Sequence, residues 1–459
     1  MIDTVVIQEK ALSLAFHGGL VPQNPEDETA EDLYARIHNI KSANTKALSE
    51  ITGDDIPFVI PKSWKWVYLG ELFEHNTGKA LNSNNSDGQL MTYITTSNLY
   101  WDRFELNDLK QMRFTEKEID KCTVRKGDLL VCEGGDIGRA AIWTYDYEMR
   151  IQNHIHRLRK RIGDICVDFY CLLLRYYKQI GLISGVGIGL QGFSSNRVHT
   201  LVVPLAPYKE QLRIVEKLRE VFSTTELLDS MQGKYAQDRS ILKSKIIHAA
   251  IQGKLTEQLP EDGTAEELYN RIKKEKEDKI KSGIVKREKH WSNNPAFQEY
   301  PFEIPDNWMF IRLGELMINR DNERVPVSLA DRKKKAKIYD YYGASGVIDR
   351  VDEYLFDKEL LLIGEDGANL VARSTPIAFV AKGLYWVNNH AHVLEACTGV
   401  NINYVCYYIN SISLDKYITG TAQPKMNQEN MNAIWVALPP LFEQNRIVDK
   451  LSELLPLCE

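Results

Sequence analysis

The chain is written twice, and this constrains its fold more than any single motif. Residues 25–37, PEDETAEDLYARI, match 260–272, PEDGTAEELYNRI, at ten of thirteen positions with an offset of 235. Gly18 and Leu20 match Gly253 and Leu255 at the same offset. Residues 57–72, PFVIPKSWKWVYLGEL, match 301–316, PFEIPDNWMFIRLGEL, at nine of sixteen, where the offset is 244. LLVCEGG (129–135) faces LLIGEDG (361–367), NHIHRL (153–158) faces NHAHVL (389–394), and PYKEQLRIVEKL (207–218) matches PLFEQNRIVDKL (440–451) at eight of twelve. Blocks that keep one order in both halves mark a single tandem duplication of a large unit, not a short solenoid repeat. The copies run about 1–235 and 236–459, with the seam inside the segment 208–252.

That segment predicts one long helix. From Lys209 to Ile251 there is no proline and one glycine, while Ile214, Leu218, Val221, Leu228, Met231, Tyr235, Leu242 and Ile246 recur at three-, four- and seven-residue spacings. Such a stripe belongs to an amphipathic core helix or to a coiled-coil seam. Pro204 and Pro207 suit its start and Gly253 its end. About 44 residues at ~1.5 Å each span roughly 66 Å, too long for one small core, so the segment reads as a spacer. Helices expected near 3–17 and 441–458 together copy it and would lie antiparallel to it, closing a pseudo-two-fold chain.

The segments 57–204 and 301–437 are of another kind. Short Tyr-, Val-, Ile-, Trp- and Thr-rich runs such as KWVYLG, HTLVVPL and PIAFVA alternate with Gly and Asn/Ser clusters, as in strand-rich domains, and helices are expected at 168–180 and 403–411. The predicted fold class is α+β: two strand-rich α+β domains joined by long antiparallel, coiled-coil-like helices in a pseudo-two-fold tandem duplication. Its expected parts are an N-terminal helix (1–17), a repeated connector (18–56), a first domain (57–204), a central spacer helix (205–252), a second connector (253–300), a second domain (301–437) and a C-terminal helix (438–459). Length alone, at roughly 150 residues per domain, suggests about three units.

Several chemistries find no support. No run of eighteen apolar residues and no basic-then-apolar N-terminus is present, so neither a membrane span nor a secretory signal is expected and the protein reads as cytoplasmic. Seven cysteines without a CxxC pair argue against a disulfide framework and a zinc knuckle. Gly-Lys pairs are followed by Ala80, Tyr235 and Leu255, not by the Ser/Thr of a P-loop. NNPAF (293–297) has a passing likeness to a target-amine methyltransferase motif but sits in the charged connector and reads as a turn. In a strand, His154 and His156 would share a face, as would His390 and His392, and such a pair can ligate a metal. Neither copy offers a third ligand at fixed spacing; buried histidines that hold a strand to a neighbouring loop are the commoner arrangement. No catalytic, cofactor or metal site is therefore expected.

LRKR (158–161) and DRKKKAK (331–337) are the densest basic runs outside the connector, and the loops 81–88, 94–98, 190–196 and 421–427 are rich in Asn, Ser, Thr and Gln. Phosphate contacts and groove reading use such residues, and so does a plain solvated face; on composition alone both readings stand. The acidic Gly-rich turns EGGDIGR (133–139) and EDGANLV (365–371) suit either a hairpin or close approach to a ligand.

Two divergent strand-rich domains opening with IPxxWxxxxLGEL, joined by long helices beginning PxxEQxRIVxKL and followed by Gly-x-Leu and T-A-E-x-L-Y, strongly resemble the specificity subunit of type I restriction-modification systems. The resemblance covers essentially the whole chain. It is carried by Pro61, Trp64, Leu69, Gly70, Glu71 and Leu72 with Pro305, Trp308, Leu313, Gly314, Glu315 and Leu316, and by Pro207, Glu210, Gln211, Arg213 and Ile214 with Pro440, Glu443, Gln444, Arg446 and Ile447. It implies two target recognition domains, each reading half of a bipartite, asymmetric double-stranded DNA site, with the helices as the ruler between them. It also implies docking of two DNA methyltransferase subunits that bring S-adenosylmethionine and modify adenine at N6, and restriction subunits that bring ATP and Mg²⁺. This chain would then hold no cofactor and no catalytic residue.

Candidate DNA contacts in the first domain are Asn82, Asn84, Thr96, Ser97, Arg139, Arg157, Arg159, Lys160, Arg161, Gln191, Ser194 and Asn196. In the second they are Arg332, Lys333, Lys334, Lys335, Lys337, Tyr342, Ser345, Gln423 and Lys425. Alternatives from other classes are a cytosolic two-domain metal-dependent enzyme using the His-x-His strands, and an assembly scaffold that does not touch DNA. The formal net charge of −6 is concentrated in residues 1–56, which carry −6, against +3 for 57–200 and −3 for 301–435. Readers so close to neutral would bind DNA weakly alone, so most affinity is expected from partner subunits closing around the duplex.

Overall fold

Each strand-rich segment is closed by its own first and last strands. Lys65–Tyr68 pairs antiparallel with Val202–Leu205, Lys65 opposite Leu205, and Met309–Arg312 pairs with Trp435–Leu438 in the same way. Entry and exit thus lie side by side, and the interior can change without moving the frame. The computed structural model describes residues 1–39, 48–81, 87–183, 193–285 and 297–458. NNPAF falls mostly outside them. The chain forms two compact units, Met1–Gly233 and Lys234–Glu459, not three. The division falls within the central helix, Tyr208–Ile251, 44 residues long.

Inside each unit the same antiparallel four-stranded sheet recurs. Its order is Phe73–Thr77, Ile155–Lys160, Leu129–Cys132, Ala140–Ile142 in the first, and Met317–Asn319, Ala391–Ala396, Leu360–Gly364, Ala378–Ala381 in the second. The apolar runs LLVC and LLLIG have every residue buried. Successive side chains of a strand point to opposite faces, so Leu129 and Val131 enter one core while Leu130 and Cys132 enter another. In the second unit Leu361 and Ile363 enter one core and Leu360 and Leu362 the other. Helices Val167–Gln179 and Ile402–Ser411 cover the first of these faces, and another sheet, four-stranded in the first unit and three-stranded in the second, covers the other, containing the parallel pairs Gln89–Ile94 with Met149–Ile151 and Tyr339–Gly343 with Tyr385–Val387. Among the described residues no helix is long and apolar enough to cross a membrane.

The repeated motifs are the contacts of the frame. Gly18 and Gly253 follow their helices at φ 71° and 70°, and a Cβ there would lie 2.1 Å from Pro61 Cγ or 2.4 Å from Pro305 Cγ. A residue without a side chain is required on both counts. Gln211 accepts from the Cys166 N–H at 3.0 Å and donates to the Ala206 carbonyl at 2.7 Å; Gln444 repeats this with Asn401 and Pro439 at 2.7 and 2.9 Å. Tyr34 donates to Glu71 and Tyr269 to Glu315, at 2.9 and 2.7 Å. Trp308 Nε1 and Gln258 Nε2 both donate to the buried Glu443 carboxylate at 2.8 Å, and Gln23 donates to Glu210.

The helices at the chain ends lie antiparallel to the central helix, each within its own unit. Ile2, Thr4 and Gln8 of the first unit bond Gln232, Asp229 and Thr225 in descending order, and Arg239 of the second donates to the Cys458 carbonyl. The apolar stripe is buried only toward the helix ends. Ile214, Leu218, Ala250 and Ile251 are buried, whereas Met231, Tyr235 and Leu242, placed on the seam by their spacing, are 61%, 63% and 51% exposed. The N-terminal helix, Thr4–Phe16, is more than a spacer: Ala11, Leu12, Ala15 and Phe16 belong to the first unit's core, and Phe16 stacks on Tyr176. The connector helix of the second copy, Ala265–Lys281, has 17 residues; that of the first is described from Ala30 to Asn39.

Candidate nucleic-acid interface

Four loops meet at one end of the duplicated sheet in each unit, held by backbone hydrogen bonds in the same pattern. In the first unit Gln152 N–H donates to the Ile94 carbonyl, Glu133 N–H to that of His154, and Phe193 N–H to that of Glu133, at 3.1, 2.9 and 2.9 Å. In the second, Asn388 donates to Tyr342, Glu365 to His390, and Met426 to Glu365, at 3.1, 2.9 and 2.8 Å. Thr96 and Ser97 thereby take the place that Ala344 and Ser345 take in the second unit. Phe193 takes that of Met426, and Ser194 and Asn427 each cap a short helix.

The cluster brings together part of the predicted set. Arg139 donates to the Thr96 carbonyl at 2.6 Å and lies over the Tyr100 ring, and Ser97 bonds Thr95 at 2.7 Å. Ser194 and Asn196 are exposed beside Phe193. In the second unit Lys425 pairs with Glu365 at 3.1 Å, Gln423 and Ser345 are exposed, and Tyr342 stacks on Phe379. Asn82, Asn84 and Gln191 lie outside the described residues.

The basic runs are placed otherwise. Arg157 is 2% exposed in the middle of the sheet, donating to the Thr123 carbonyl at 2.7 Å and to Glu74 at 3.2 Å, and burial lowers its proton affinity. Arg159 is paired with Asp128 at 2.6 Å, while Lys160 and Arg161 donate to the Gly163 and Gly70 carbonyls. In the second unit Arg332 and Lys337 face Asp349 at 3.7 and 2.9 Å, Lys335 faces Asp352 at 2.5 Å, and Lys334 faces Asp331 at 3.5 Å. Lys333 is exposed. Most members of both runs are thus paired within their own domains, although Lys160, Lys333, Lys334 and Lys337 remain exposed. Sequence reading missed Asp128, Asp349 and Asp352 because they are distant in the chain from the cations they pair.

The histidines are also divided. His154 and His390 sit on turns and are exposed; only His156 and His392 lie in the strands, 0% and 1% exposed. His156 bonds His75 and the Phe193 carbonyl; His392 bonds Asp321 and the Met426 carbonyl. Both are strand residues that hold a loop, and both ring nitrogens of each are engaged. The duplicated NHxH and acidic Gly turns were the sequence signal for this cluster.

A family model described as the type I restriction modification DNA specificity domain matches residues 61–232 and 305–457. The chain belongs to that family. It is similar to the EcoEI type I specificity subunit of Escherichia coli, 22% identical over 99% of this chain and 89% of that protein. In fold it resembles the HsdS subunit from Thermoanaerobacter tengcongensis, with a TM-score of 0.55 at 15% identity over 88% of this chain and 92% of that one. A second likeness, with a TM-score of 0.56 at 15% identity over the same shares, is to a chain from work on complex assembly and conformational transition of the type I R-M system. As a type I specificity subunit the protein serves DNA sequence choice, and the metal-enzyme and scaffold alternatives gain no support.

Proposed function

We propose that each loop cluster reads one half of a bipartite, asymmetric double-stranded DNA sequence, with the central helix and its antiparallel partners fixing the gap between the halves. The observation that carries this reading is that an identical frame presents the two clusters with different side chains, Thr96, Ser97 and Arg139 in one and Ser345, Gln423 and Lys425 in the other. Readers on a fixed spacer require half-sites at a set helical distance. Two methyltransferase subunits dock on the helices, where Leu227 and Met231 in the first unit, and Tyr235, Ile241 and Leu242 in the second, leave apolar side chains exposed of the kind partners cover. Those subunits bring S-adenosylmethionine and methylate adenine at N6. Restriction subunits bring ATP, Mg²⁺ and cleavage. This chain carries no catalytic group and works in the cytoplasm. Inserting about seven residues, two helical turns, into 226–240 should change the gap and keep both half-sites; a changed half-site would contradict the ruler.

A further inference from the structure

The hairpin of Tyr339–Gly343 with Gly346–Val351 ends in the second loop cluster, and its side chains change in kind along its length. Its turn, Ala344 and Ser345, is seated twice: the Tyr342 carbonyl accepts from the Asn388 N–H at 3.1 Å, and a Cβ on Gly364 would lie 2.7 Å from the Ala344 carbonyl oxygen. The tip is therefore fixed to the central sheet. Just behind the turn the pairing slips. Tyr342 stands opposite Val347 and Tyr341 opposite Asp349, so Ile348 is the extra residue of a β-bulge. A regular strand sends successive side chains to opposite faces, but here two successive apolar residues face solvent, Val347 at 49% and Ile348 at 52% exposure. Ile348 lies over Gly343, where a Cβ would meet its Cδ1 at 2.9 Å, and so closes the end of the ribbon. Among the described residues no further strand pairs with the outer edge of Gly346–Val351.

Farther from the tip the side chains are cationic. Arg350 is 59% exposed beside Asp340, Lys337 donates to the Arg350 carbonyl, and Lys337 and Arg332 share one carboxylate, Asp349. Lys333 is exposed as well. A two-stranded ribbon fits the major groove of DNA, which is about 12 Å wide and about 8.5 Å deep. At ~3.3 Å per residue Arg350 trails Ile348 by about 7 Å, so a ribbon whose tip reaches the base edges brings cations to the phosphates at the rim.

We propose that Ile348 is a specificity-determining residue of the second reader, whose ribbon enters the major groove and lays the Ile348 side chain against the 5-methyl group of a thymine. This rests on the proposed DNA reading of the second domain. The thymine methyl is the apolar group among the donors and acceptors of the major-groove edges, and isoleucine has no donor or acceptor with which to read the others. In the first unit Thr96 and Ser97 hold the place of the turn with hydroxyls, and Gln89–Ile94 meets Lys110–Phe114 only after residues 95–109. The two readers thus present tips of different chemistry on one frame.

The test is the rate of methylation by the complete methyltransferase complex carrying the full chain, on duplexes in which each thymine of the second half-site is replaced in turn by uracil, which pairs alike and lacks the methyl. At one position uracil should lower the rate at limiting duplex about fourfold, the worth of one buried methyl group. Ile348→Ala and Ile348→Asn should be slower than the parent on the thymine duplex and indifferent to uracil at that position. Uracil in the first half-site should affect both variants as it affects the parent. A second half-site without thymine, uracil without effect at every position of it, or variants that keep the parent's sensitivity overturn the proposal. So does Ile348→Ala that co-purifies with less methyltransferase in the absence of DNA, because the tip would then be a protein contact. Exchange of 301–437 separates this from the underlying reading: if neither half-site changes, the second domain does not read DNA at all.

Discussion

Arg446 grips Asp262 through two hydrogen bonds of 2.9 and 2.5 Å, tying the C-terminal helix to the turn 260–262; Arg213 pairs with Asp27 at 2.6 Å in the first unit. Both aspartates are nearly inaccessible, at 4% and 3% of side-chain exposure. Removing the arginine strands a buried carboxylate, so Arg446→Ala should cost about 3 kcal/mol in denaturant unfolding. The Arg446 hydrogen bond holds Asp262 below the usual carboxylate value. Its contribution is therefore complete above ~4 and is lost as pH falls through the lowered folded value. The acid-side decline of stability should be shallower in Arg446→Ala.

Gly253→Ala should destabilise the second unit by about 2 kcal/mol or more, because it adds a Cβ against Pro305 and places alanine at positive φ. Thermal unfolding measures the loss. Gly233→Ala, where a Cβ would meet nothing within 4 Å, should leave stability unchanged or raise it.

Arg157→Ala should unfold the first domain more easily, by about 3 kcal/mol, since it removes a buried cation bonded to Thr123 and Glu74 and leaves a cavity. Lys333→Ala, at an exposed position, should change stability by less than ~0.5 kcal/mol. Circular-dichroism melts compare the two. Parental stability in Arg157→Ala with an altered methylation sequence would return Arg157 to the set of DNA contacts.

Phe16→Ala should cost about 3–5 kcal/mol because that ring fills the first unit's core beside Phe169 and Tyr176. Truncation of 1–17 should therefore weaken partner assembly largely by loosening that unit. Thr4→Ala with Gln8→Ala removes only the bonds to Asp229 and Thr225 and should leave the melting temperature within a few degrees of the parent. Unfolding curves and co-purification with methyltransferase subunits separate the two effects.

The frame was legible because its contacts repeat. Glycine with proline, Tyr34 with Glu71 and Arg213 with Asp27 each occur again at a nearly constant offset, and duplication exposes such pairs without an alignment. The interiors were not legible in this way. A strand of charged residues, IHRLRK, reads as a surface until the sheet puts Arg157 at its centre. Lys335 and Lys337 read equally as a phosphate patch or a plain solvated face until a turn returns Asp349 and Asp352 to them. The link from Asp321 to His392 spans 71 residues and depends on strand pairing, which no periodicity encodes. The central helix shows the converse: its spacing predicted a buried seam, but Tyr235 and Leu242 face outward.

The account stands most directly on methylome sequencing of cells in which residues 301–437 are replaced by the corresponding segment of another family member. The account predicts that one half of the methylated bipartite sequence changes, while the other half and the gap between them stay as in the parent. A change in both halves, or in neither, would contradict it.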